Sequence, residues 1–516
     1  MRYRSVHDHM DRSADRRIAA NSAFLYFRMI LVTLVTLYTS RVTLKVLGVD
    51  DFGIYQAVAG VVTFLAFLSN ALGTGTSRFI TFEMGKENPR LGSLISTLRT
   101  AHIVLGLIIV VLGEIVGLWF IFNRLIIPAE RFDAAVFAFH FSMIGTFFQI
   151  VQVPYNATII AHEKMIIFAH ISISEALIRL LIVFALNLFF FDSLKVYAVL
   201  MCISSLLVFL IYRIYCRKVF PETRTRLSFD RDLFKCVASF SGWSLISSSA
   251  SALTNQGVTV VTNMFFSPAA VTVRSLALRI NDAIINFVNS YRMAVNPQIV
   301  KRYASDDREG SRKLALDSTK YTYYLLLIVV VPVFFAINPI LTLWLGDVPD
   351  GLVPFVRLAL IQGLFQSLDI SLYAPIYASG RIRENAIISP IFDFLQLPVV
   401  YILFILGYPP IALAWVSAIA YAVLGIVVKP ILVHKVVEYG YGEIIKVLCR
   451  CALVTTLSLI LPAAISSMLD SGSIYDSIII MISALLSVTI MVWIAGLEKT
   501  ARKELTEWVT KGFRKG

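Results

Sequence analysis

The chain is a series of long apolar stretches separated by short polar segments. Each stretch has the length of about 20 residues that an α-helix needs to cross a bilayer, which predicts about fourteen transmembrane helices. We therefore expect an all-α polytopic membrane protein. The predicted helices lie at residues 21–44, 52–77, 101–122, 134–157, 166–190, 195–215, 237–263, 269–297, 321–345, 353–378, 386–406, 410–433, 447–468 and 475–496.

The eighth predicted helix has a continuous polar face within RSLALRINDAIINFVNSYRMAVNP, residues 274–297. Unpaired polar groups cannot face lipid tails cheaply, so this face meets other helices or lines a water-filled cavity. Interhelical hydrogen bonding would explain one or two amides, but six positions in register favour a cavity wall. Helical spacing places on this face Ser275, Arg279, Asp282, Asn286, Asn289 and Asn296.

The seventh predicted helix also has a polar face, and this one contains Ser248 and Asn255. A very short connection joins the seventh helix to the eighth, so both polar faces can border one space. We expect the cavity to be lined by Ser248, Asn255, Asp282, Asn286 and Asn289.

Composition supports the membrane class. Of 516 residues, 58% are hydrophobic and only 15% are charged, whereas soluble proteins have about 25% charged residues. The polar first 20 residues precede an apolar run without a small-residue cleavage site, which argues against a signal peptide. The net charge of +13 does not indicate nucleic-acid binding, because most basic residues lie in every second connection between the predicted helices, and these connections share one side of the membrane. The positive-inside rule explains that distribution and predicts that both termini are cytoplasmic.

The chain also contains one internal repeat. A Leu-Trp pair ends the third predicted helix at Trp119 and the ninth at Trp344, and Glu175 in the fifth falls almost opposite Asp393 in the eleventh. The offset of about 220 residues spans six helices, an even number that preserves orientation, so the halves are parallel. The expected organisation is a cytoplasmic tail 1–20, six-helix lobes 21–220 and 221–440, two additional helices 441–497 and a basic cytoplasmic tail 498–516.

The sequence contains no pattern typical of an enzyme. A phosphate-binding loop and a zinc-protease motif are both missing, and the five cysteines lack metal-ligand spacing. We therefore expect no catalytic residue, no metal and no cofactor. If a substrate moves through the expected cavity, an ion gradient or the membrane potential would drive its movement.

Several arginines lie inside the apolar stretches. Arg28 is in the first predicted helix, and Arg274 and Arg279 are in the eighth, whereas Arg292 is near a helix end and can extend to the interface. A charge at the bilayer centre costs about 2.5–3.5 kcal/mol, so it persists through pairing or through a ligand. Arg279 can pair with Asp282 three residues later, but Arg28 has no acid in helical register. Because guanidinium binds phosphate bidentately, these arginines favour an anionic substrate.

Three acidic residues are the alternative functional candidates. Asp369, Asp393 and Glu175 could couple transport to protons or sodium, or could bind a cationic substrate. Glu175 is spaced to pair with Arg179, which favours a structural role for that carboxylate. Asp393 precedes Pro398, an arrangement that fits an ion site at a broken helix.

Several segments resemble one family. They are LYTSRVTLKVLGVDDFGIY at residues 37–55, PYNATIIAHEKM at 154–165, AVNPQIVKRYA at 294–304 and LTLWLGDVP at 341–349. These segments are similar to bacterial polysaccharide-export flippases of the Wzx type, including O-antigen flippases. That family is a branch of the multidrug/oligosaccharidyl-lipid/polysaccharide superfamily, in which related sequences are described as MATE-like. The resemblance extends over nearly the whole chain.

The resemblance implies two six-helix lobes around a cavity that opens alternately to either side of the bacterial inner membrane. The implied substrate is an undecaprenyl-pyrophosphate-linked oligosaccharide, flipped for O-antigen (lipopolysaccharide), capsule or exopolysaccharide biosynthesis. Lipid II flippases of the same superfamily are similar in using arginines of the first and eighth helices near the pyrophosphate. At the level of the helix, this implies roles for Arg28, Arg274 and Arg279.

We expect membrane lipids and the lipid-linked oligosaccharide as binding partners, a polysaccharide polymerase as a candidate protein partner, and a monomer. Two alternative functions remain open. One is an ion-coupled, MATE-type exporter of small cationic compounds that uses Asp369 or Asp393. The other is a membrane scaffold without transport activity that docks through the basic loops at 213–235 and 301–320.

Overall fold

A computed structural model gives the architecture of the chain. It describes no side chains at 2–27, 63–75, 78, 287, 290, 293, 294, 297 and 474. The backbone is described at residues 2–84, 89–162, 164–186, 191–235, 256–381, 383–469 and 474–498, and at 237, 254, 502, 503 and 506. The regular structure in these ranges is entirely helical, which confirms the predicted all-α class.

The chain divides into two compact units, Met1–Thr272 and Val273–Gly516. The predicted six-helix lobes, with their boundary at residue 220, stay a prediction. Helices of the first unit are α1 Arg2–Met84, α2 Leu91–Asn123, α3 Phe132–Ala161, α4 Met165–Leu186 and α5 Ser193–Val219.

Helix α1 is interrupted at Gly48, where the backbone has φ 77° and ψ 175°. This conformation is accessible mainly to glycine, and it separates the first predicted helix from the second. The turn packs closely on the segment 268–272: Thr272 donates a hydrogen bond to the Val49 carbonyl at 2.6 Å. A Cβ atom at Gly53 would overlap the Pro268 carbonyl oxygen. Glycine at position 53 therefore permits the close approach of two backbones.

Arg131 joins its own short segment before α3 to two other parts of the first unit, the turn of α1 at Asp51 and the start of α5 at Asp192. Its Nε donates to Asp51 Oδ1 and its Nη1 to Asp192 Oδ2, each at 2.7 Å. Burial alone would raise the pKa of Asp192. Hydrogen bonds from Arg131 and from the backbone N–H groups of Leu194 and Lys195, together with the charge of Arg131, outweigh burial and hold this pKa below its ordinary value. The contribution of Asp192 to stability is therefore present at neutral pH and is lost as pH falls through the lowered pKa.

The C-terminal helices follow from residue 268 onward, and two π-helical turns, Leu424–Val428 and Val492–Gly496, interrupt or extend them. The helices are α6 Pro268–Ala304, α7 Arg308–Phe335, α8 Ile337–Leu345, α9 Leu352–Ser379, α10 Arg383–Ile405, α11 Ala412–Val423, α12 Lys429–Val437, α13 Tyr441–Ser466 and α14 Ile474–Met491.

The predicted single helix 321–345 is two helices, α7 and α8, that meet at Ala336. Ala336 leaves helical geometry with φ −97° and ψ 29°. Pro339 then lies in the first turn of α8, where the missing N–H of proline costs nothing. The hydropathy pattern continues across this break, so it could not reveal it.

Eleven helices in the described part of the chain are long and apolar enough to cross a membrane. The protein is therefore a multi-pass membrane protein. Fewer helices than the predicted fourteen qualify, for three reasons. Predicted helix 52–77 is continuous with α1, and most of 237–263 lies outside the described residues. Predicted helix 269–297 lies in α6, whose charged side chains lower its hydropathy.

Candidate functional site

Arg28 of α1 lies against α4. Its Nη1 donates to Ser172 Oγ at 3.3 Å, and its Cζ is 4.9 Å from the centre of the Phe168 ring. Tyr212 of α5 is close enough to interact electrostatically with the guanidinium. Among the described residues no carboxylate pairs with Arg28, and its buried Nε has no hydrogen-bond partner. The guanidinium therefore retains donor capacity inside an apolar helix.

Glu175 pairs with Arg179 on the same helix, with Oε1 and Nη2 2.7 Å apart. The predicted pair therefore forms, one turn beyond the Ser172 contact of Arg28. The side chains are 32% and 45% exposed. Because Glu175 already has a cationic partner, its charge is compensated locally and it does not neutralise Arg28.

The polar face of α6 is partly accessible. Asp282 and Asn286 are exposed, while Arg279 is half-buried and close enough to Asp282 to interact electrostatically. Asn289 accepts a hydrogen bond from Arg292 Nη1 at 3.2 Å. Arg274, in contrast, is buried. The other two predicted cavity residues, Ser248 and Asn255, lie outside the described residues.

A second charged site lies inside the C-terminal unit, and we call Asp369, Asp393 and Lys429 the charge cluster. Lys429 Nζ is 3.3 Å from Asp369 Oδ1, and the two side chains are only 3% and 14% exposed. Lys429 also donates to Ser389 Oγ at 3.1 Å and to Asn385 Oδ1. The ammonium group is therefore surrounded by oxygen acceptors from α9 and α10.

Asp393 completes the charge cluster. It interacts electrostatically with Asp369 and Lys429, and Tyr421 of α11 donates a hydrogen bond to it. Arg292 of α6 also lies close enough to Asp369 to interact with it. The cluster thus brings together two of the three acids predicted as functional candidates, Asp369 and Asp393, around a lysine that was not predicted.

A π-helical turn, Leu424–Val428, directly precedes Lys429. The additional residue of such a turn rotates the following residues by about 100° around the helix axis. Gly425 within the turn lies against α9, where an added Cβ would be 2.7 Å from the Phe365 carbonyl oxygen. The turn and the glycine together bring Lys429 into contact with Asp369.

Sequence reasoning missed Lys429 because it follows a long apolar run and precedes basic residues of a predicted cytoplasmic loop. Its position inside the stretch GIVVKPILV was the available signal. Arg292 was expected at the membrane interface, but it is half-buried and faces Asn289 and Asp369. Neither partner could be inferred from helical spacing, because Asp369 comes from another helix.

Solved structures resemble this chain over most of its length. The lipid II flippase MurJ in an inward closed conformation superposes with a TM-score of 0.67 at 15% identity, covering 92% of this chain and 98% of that chain. An inward-facing multidrug resistance MATE family transporter of the MOP superfamily gives 0.66 at 16% identity, covering 79% and 96%. A MOP superfamily transporter from Pyrococcus furiosus, whose binding pocket is described as reversed in polarity, gives 0.57 at 16% identity, covering 81% and 96%. The chain has the fold of MOP-superfamily transporters.

Neither a protein-family model nor a curated relative matches the sequence. The MOP-superfamily fold is shared by a lipid II flippase and by drug transporters at nearly equal TM-scores. These neighbours are transporters and not enzymes. The fold therefore does not identify the substrate, which has to be inferred from the charged and polar side chains of this chain.

Proposed function

We propose that the protein is a flippase for an undecaprenyl-pyrophosphate-linked oligosaccharide in the bacterial cytoplasmic membrane. It would act by alternating access in the export of O-antigen, capsule or exopolysaccharide, as its resemblance to Wzx-type proteins implies. Both termini would be cytoplasmic, the protein a monomer, and a polysaccharide polymerase its partner. The observation that carries the proposal is Arg28, a span arginine whose described partners are a hydroxyl and an aromatic ring.

Arg28 suits a pyrophosphate because its guanidinium presents planar, paired N–H donors that match two phosphate oxygens. The contact with Phe168 fixes the plane of the guanidinium group, and Ser172 takes only one donor. Glu175, the nearest acid along α4, is held by Arg179. Among the described residues, therefore, no carboxylate competes with a phosphate for Arg28. We propose that Arg274 and Arg279 also contact the phosphates, and this assignment rests only on their position in the eighth predicted helix.

The polar side chains of α6 suit the sugar part of the substrate. Asn286 is exposed, and an amide offers both donors and an acceptor to sugar hydroxyls. Asp282 and Asn289 supply further acceptors on the same face. We propose that this face, together with Ser248 and Asn255, borders the path of the oligosaccharide.

The charge cluster is the proposed coupling site. Lys429 compensates the charge of Asp369 directly, so two carboxylates share one buried ammonium group. Asp393 is then the acid on which a proton or a cation from the gradient would bind. Such binding changes the balance of charge between helices α9, α10 and α12, and differential binding to two conformations is what shifts their populations.

Export of small cationic compounds is the alternative, and the near-equal similarity to a MATE transporter supports it. A cationic substrate needs an available carboxylate in its binding site. Asp369 is buried against Lys429, which fills that role with the protein's own cation. Arg28, in contrast, has no carboxylate partner among the described residues, and this charge favours an anionic substrate.

The test uses the purified full-length protein in liposomes that contain a pyrophosphate-linked oligosaccharide lipid. Lectin accessibility reports movement of the sugar between leaflets, and efflux of a cationic dye is measured in parallel. A lipid-linked oligosaccharide without the pyrophosphate is the matched control substrate. Movement of the pyrophosphate-linked lipid alone supports the proposal, whereas dye efflux without sugar movement identifies a cation exporter.

A further inference from the structure

A charged pocket of about 250 Å³ opens between α7 and α13, and we call it the α7–α13 pocket. It belongs entirely to the C-terminal unit and is separate from the charge cluster. Five basic and four acidic side chains line it: Arg312, Lys313, Lys320, Lys446, Arg450, Glu309, Asp317, Glu443 and Glu498.

Lys320 is the most buried cation of this pocket, with 6% of its side chain exposed. Its Nζ is 2.7 Å from Asp317 Oδ1 and 3.2 Å from Glu498 Oε1. Arg450 Nη1 lies 3.2 Å from the same oxygen of Glu498. One carboxylate oxygen therefore bridges two cations, which is the position that an oxygen of a bound phosphate would take.

Two further cations of the pocket have no such partner. Lys313 and Lys446 are exposed, and within the described part of the chain they form no ion pair. Arg312 is paired with Glu443 at 3.5 Å. In the same part of the chain no group of three or more acids, histidines or cysteines could hold a metal ion. The two unpaired lysines therefore suit the pocket to an anion and not to a metal ion.

The position of the pocket indicates where that anion comes from. The pocket lies where α7 and α13 begin and where the chain leaves the π-helical turn after α14. All three are ends of membrane-crossing helices, so the pocket is at a membrane surface. Basic pockets between such helices are suited to the phosphate of a lipid headgroup.

We infer that the α7–α13 pocket binds a phosphate group, with Lys313 and Lys446 at its entrance and with Lys320 and Arg450 released by Glu498 at its floor. This site concerns a different part of the molecule from Arg28 and does not depend on which substrate is transported. The same chemistry could be supplied by an anionic lipid headgroup or by a free phosphate ion.

Glu498 acts as the internal competitor of this phosphate. The charge of Lys320 and the hydrogen bond from it hold the pKa of Glu498 below its usual value, so the carboxylate is ionised at neutral pH. Arg502 supports the segment by donating to the carbonyl oxygens of Ile494 at 2.6 Å and Leu497 at 2.9 Å. Removing the charge of Glu498 should therefore leave Arg450 without a carboxylate partner among the described residues, and Lys320 with Asp317 alone, without releasing the segment.

The experiment measures binding of short-chain phosphatidic acid, phosphatidylcholine and inorganic phosphate to the purified full-length protein in detergent. The variant K313Q/K446Q removes the two entrance charges, and K301Q/K435Q removes two exposed lysines of the same unit outside the pocket as a matched control. We expect K313Q/K446Q to weaken phosphatidic acid binding about threefold to tenfold, because each contact is charge-assisted. E498Q should strengthen it by about the same factor.

Binding of phosphatidic acid but not of inorganic phosphate would identify a lipid headgroup, and binding of both would identify a general phosphate site. Phosphatidylcholine, which has no net charge, should bind more weakly than phosphatidic acid. The inference is overturned if neither phosphatidic acid nor inorganic phosphate binds. It is also overturned if K313Q/K446Q binds phosphatidic acid as tightly as the wild type does.

Discussion

Arg28 holds a permanent positive charge inside an apolar helix, in contact with Ser172 and the ring of Phe168. A helix with such a charge is harder to insert, by about 2.5–3.5 kcal/mol at the bilayer centre. A hydroxyl and a ring face compensate only part of that cost. An anionic ligand that arrives during transport supplies the missing partner.

The geometry of the guanidinium matters as well as its charge. We expect Arg28→Lys to reduce the rate of sugar transport about tenfold, because lysine keeps the charge but loses the paired donors that match a phosphate. Lectin accessibility in liposomes measures the rate, and a thermal melt of the purified variant checks its folding. An unchanged rate would mean that Arg28 acts only as a point charge.

The ammonium group of Lys429 compensates the negative charge of Asp369, so removing it should lower the free energy of unfolding. Lys429→Met leaves Asp369 buried without its cation, and we expect a loss of about 3–5 kcal/mol that appears as a lower unfolding temperature. The double variant Asp369→Asn, Lys429→Gln removes both charges and should be clearly more stable than the single variant. Equal losses in the two variants would show that the ion pair contributes nothing.

Asp393 tests the coupling role of the cluster. Asp393→Asn keeps the size of the side chain and a hydrogen-bond partner for Tyr421, but it cannot take up a proton or balance a cation. We expect transport that no longer responds to the ion gradient, measured as the ratio of rates with and without an imposed gradient. A variant with full gradient dependence would remove Asp393 from the coupling site.

The sequence revealed these residues unequally. Arg28 stands out because a charge interrupts an apolar stretch, which is visible without any partner. Lys429 is equally charged but adjoins a basic loop, so only its contact with Asp369 shows that it is buried. Partners on other helices, such as Ser172, require the packing of the chain and could not be predicted from spacing.

At the level of elements, hydropathy located the helices but not their ends. Helix α13 begins at Tyr441, before the predicted start at 447, and α7 begins at Arg308, before 321. Hydropathy detects only the part of a helix that lies in lipid, whereas backbone hydrogen bonds continue beyond it. The Gly48 break agrees with the prediction because two charged residues, Asp50 and Asp51, follow it closely.

The close packing of Gly53 gives a prediction about the α1 turn. Gly53→Ala should destabilise the protein by about 1–3 kcal/mol, because the new methyl group overlaps the Pro268 carbonyl oxygen and the backbone must shift. Gly442→Ala is the matched control, since an added Cβ there meets no atom within 4 Å. Its unfolding temperature should stay the same or rise. Equal effects of the two substitutions would contradict the packing that we describe.

For the whole molecule, the fold follows from the solvent more than from particular residues. In a bilayer every backbone polar group needs a partner within the protein, which leaves helices as the answer to a series of apolar stretches. The bilayer therefore explains why the chain is helical, and the TM-score of 0.67 at 15% identity to MurJ shows that one arrangement of such helices tolerates very different sequences. The substrate cannot be inferred from the fold, because drug transporters share this fold as well.

The most direct test of the proposed flippase compares two arginine variants in one assay. Purified wild type, Arg28→Ala and Arg124→Ala are placed in liposomes with the pyrophosphate-linked oligosaccharide lipid. Arg124 is the control because it is an exposed arginine 5.6 Å from the ring of Trp119, outside the proposed site. We predict that wild type and Arg124→Ala move the sugar to the lectin-accessible leaflet, while Arg28→Ala does not exceed protein-free liposomes. Movement by Arg28→Ala at the wild-type rate would contradict the proposed anion site.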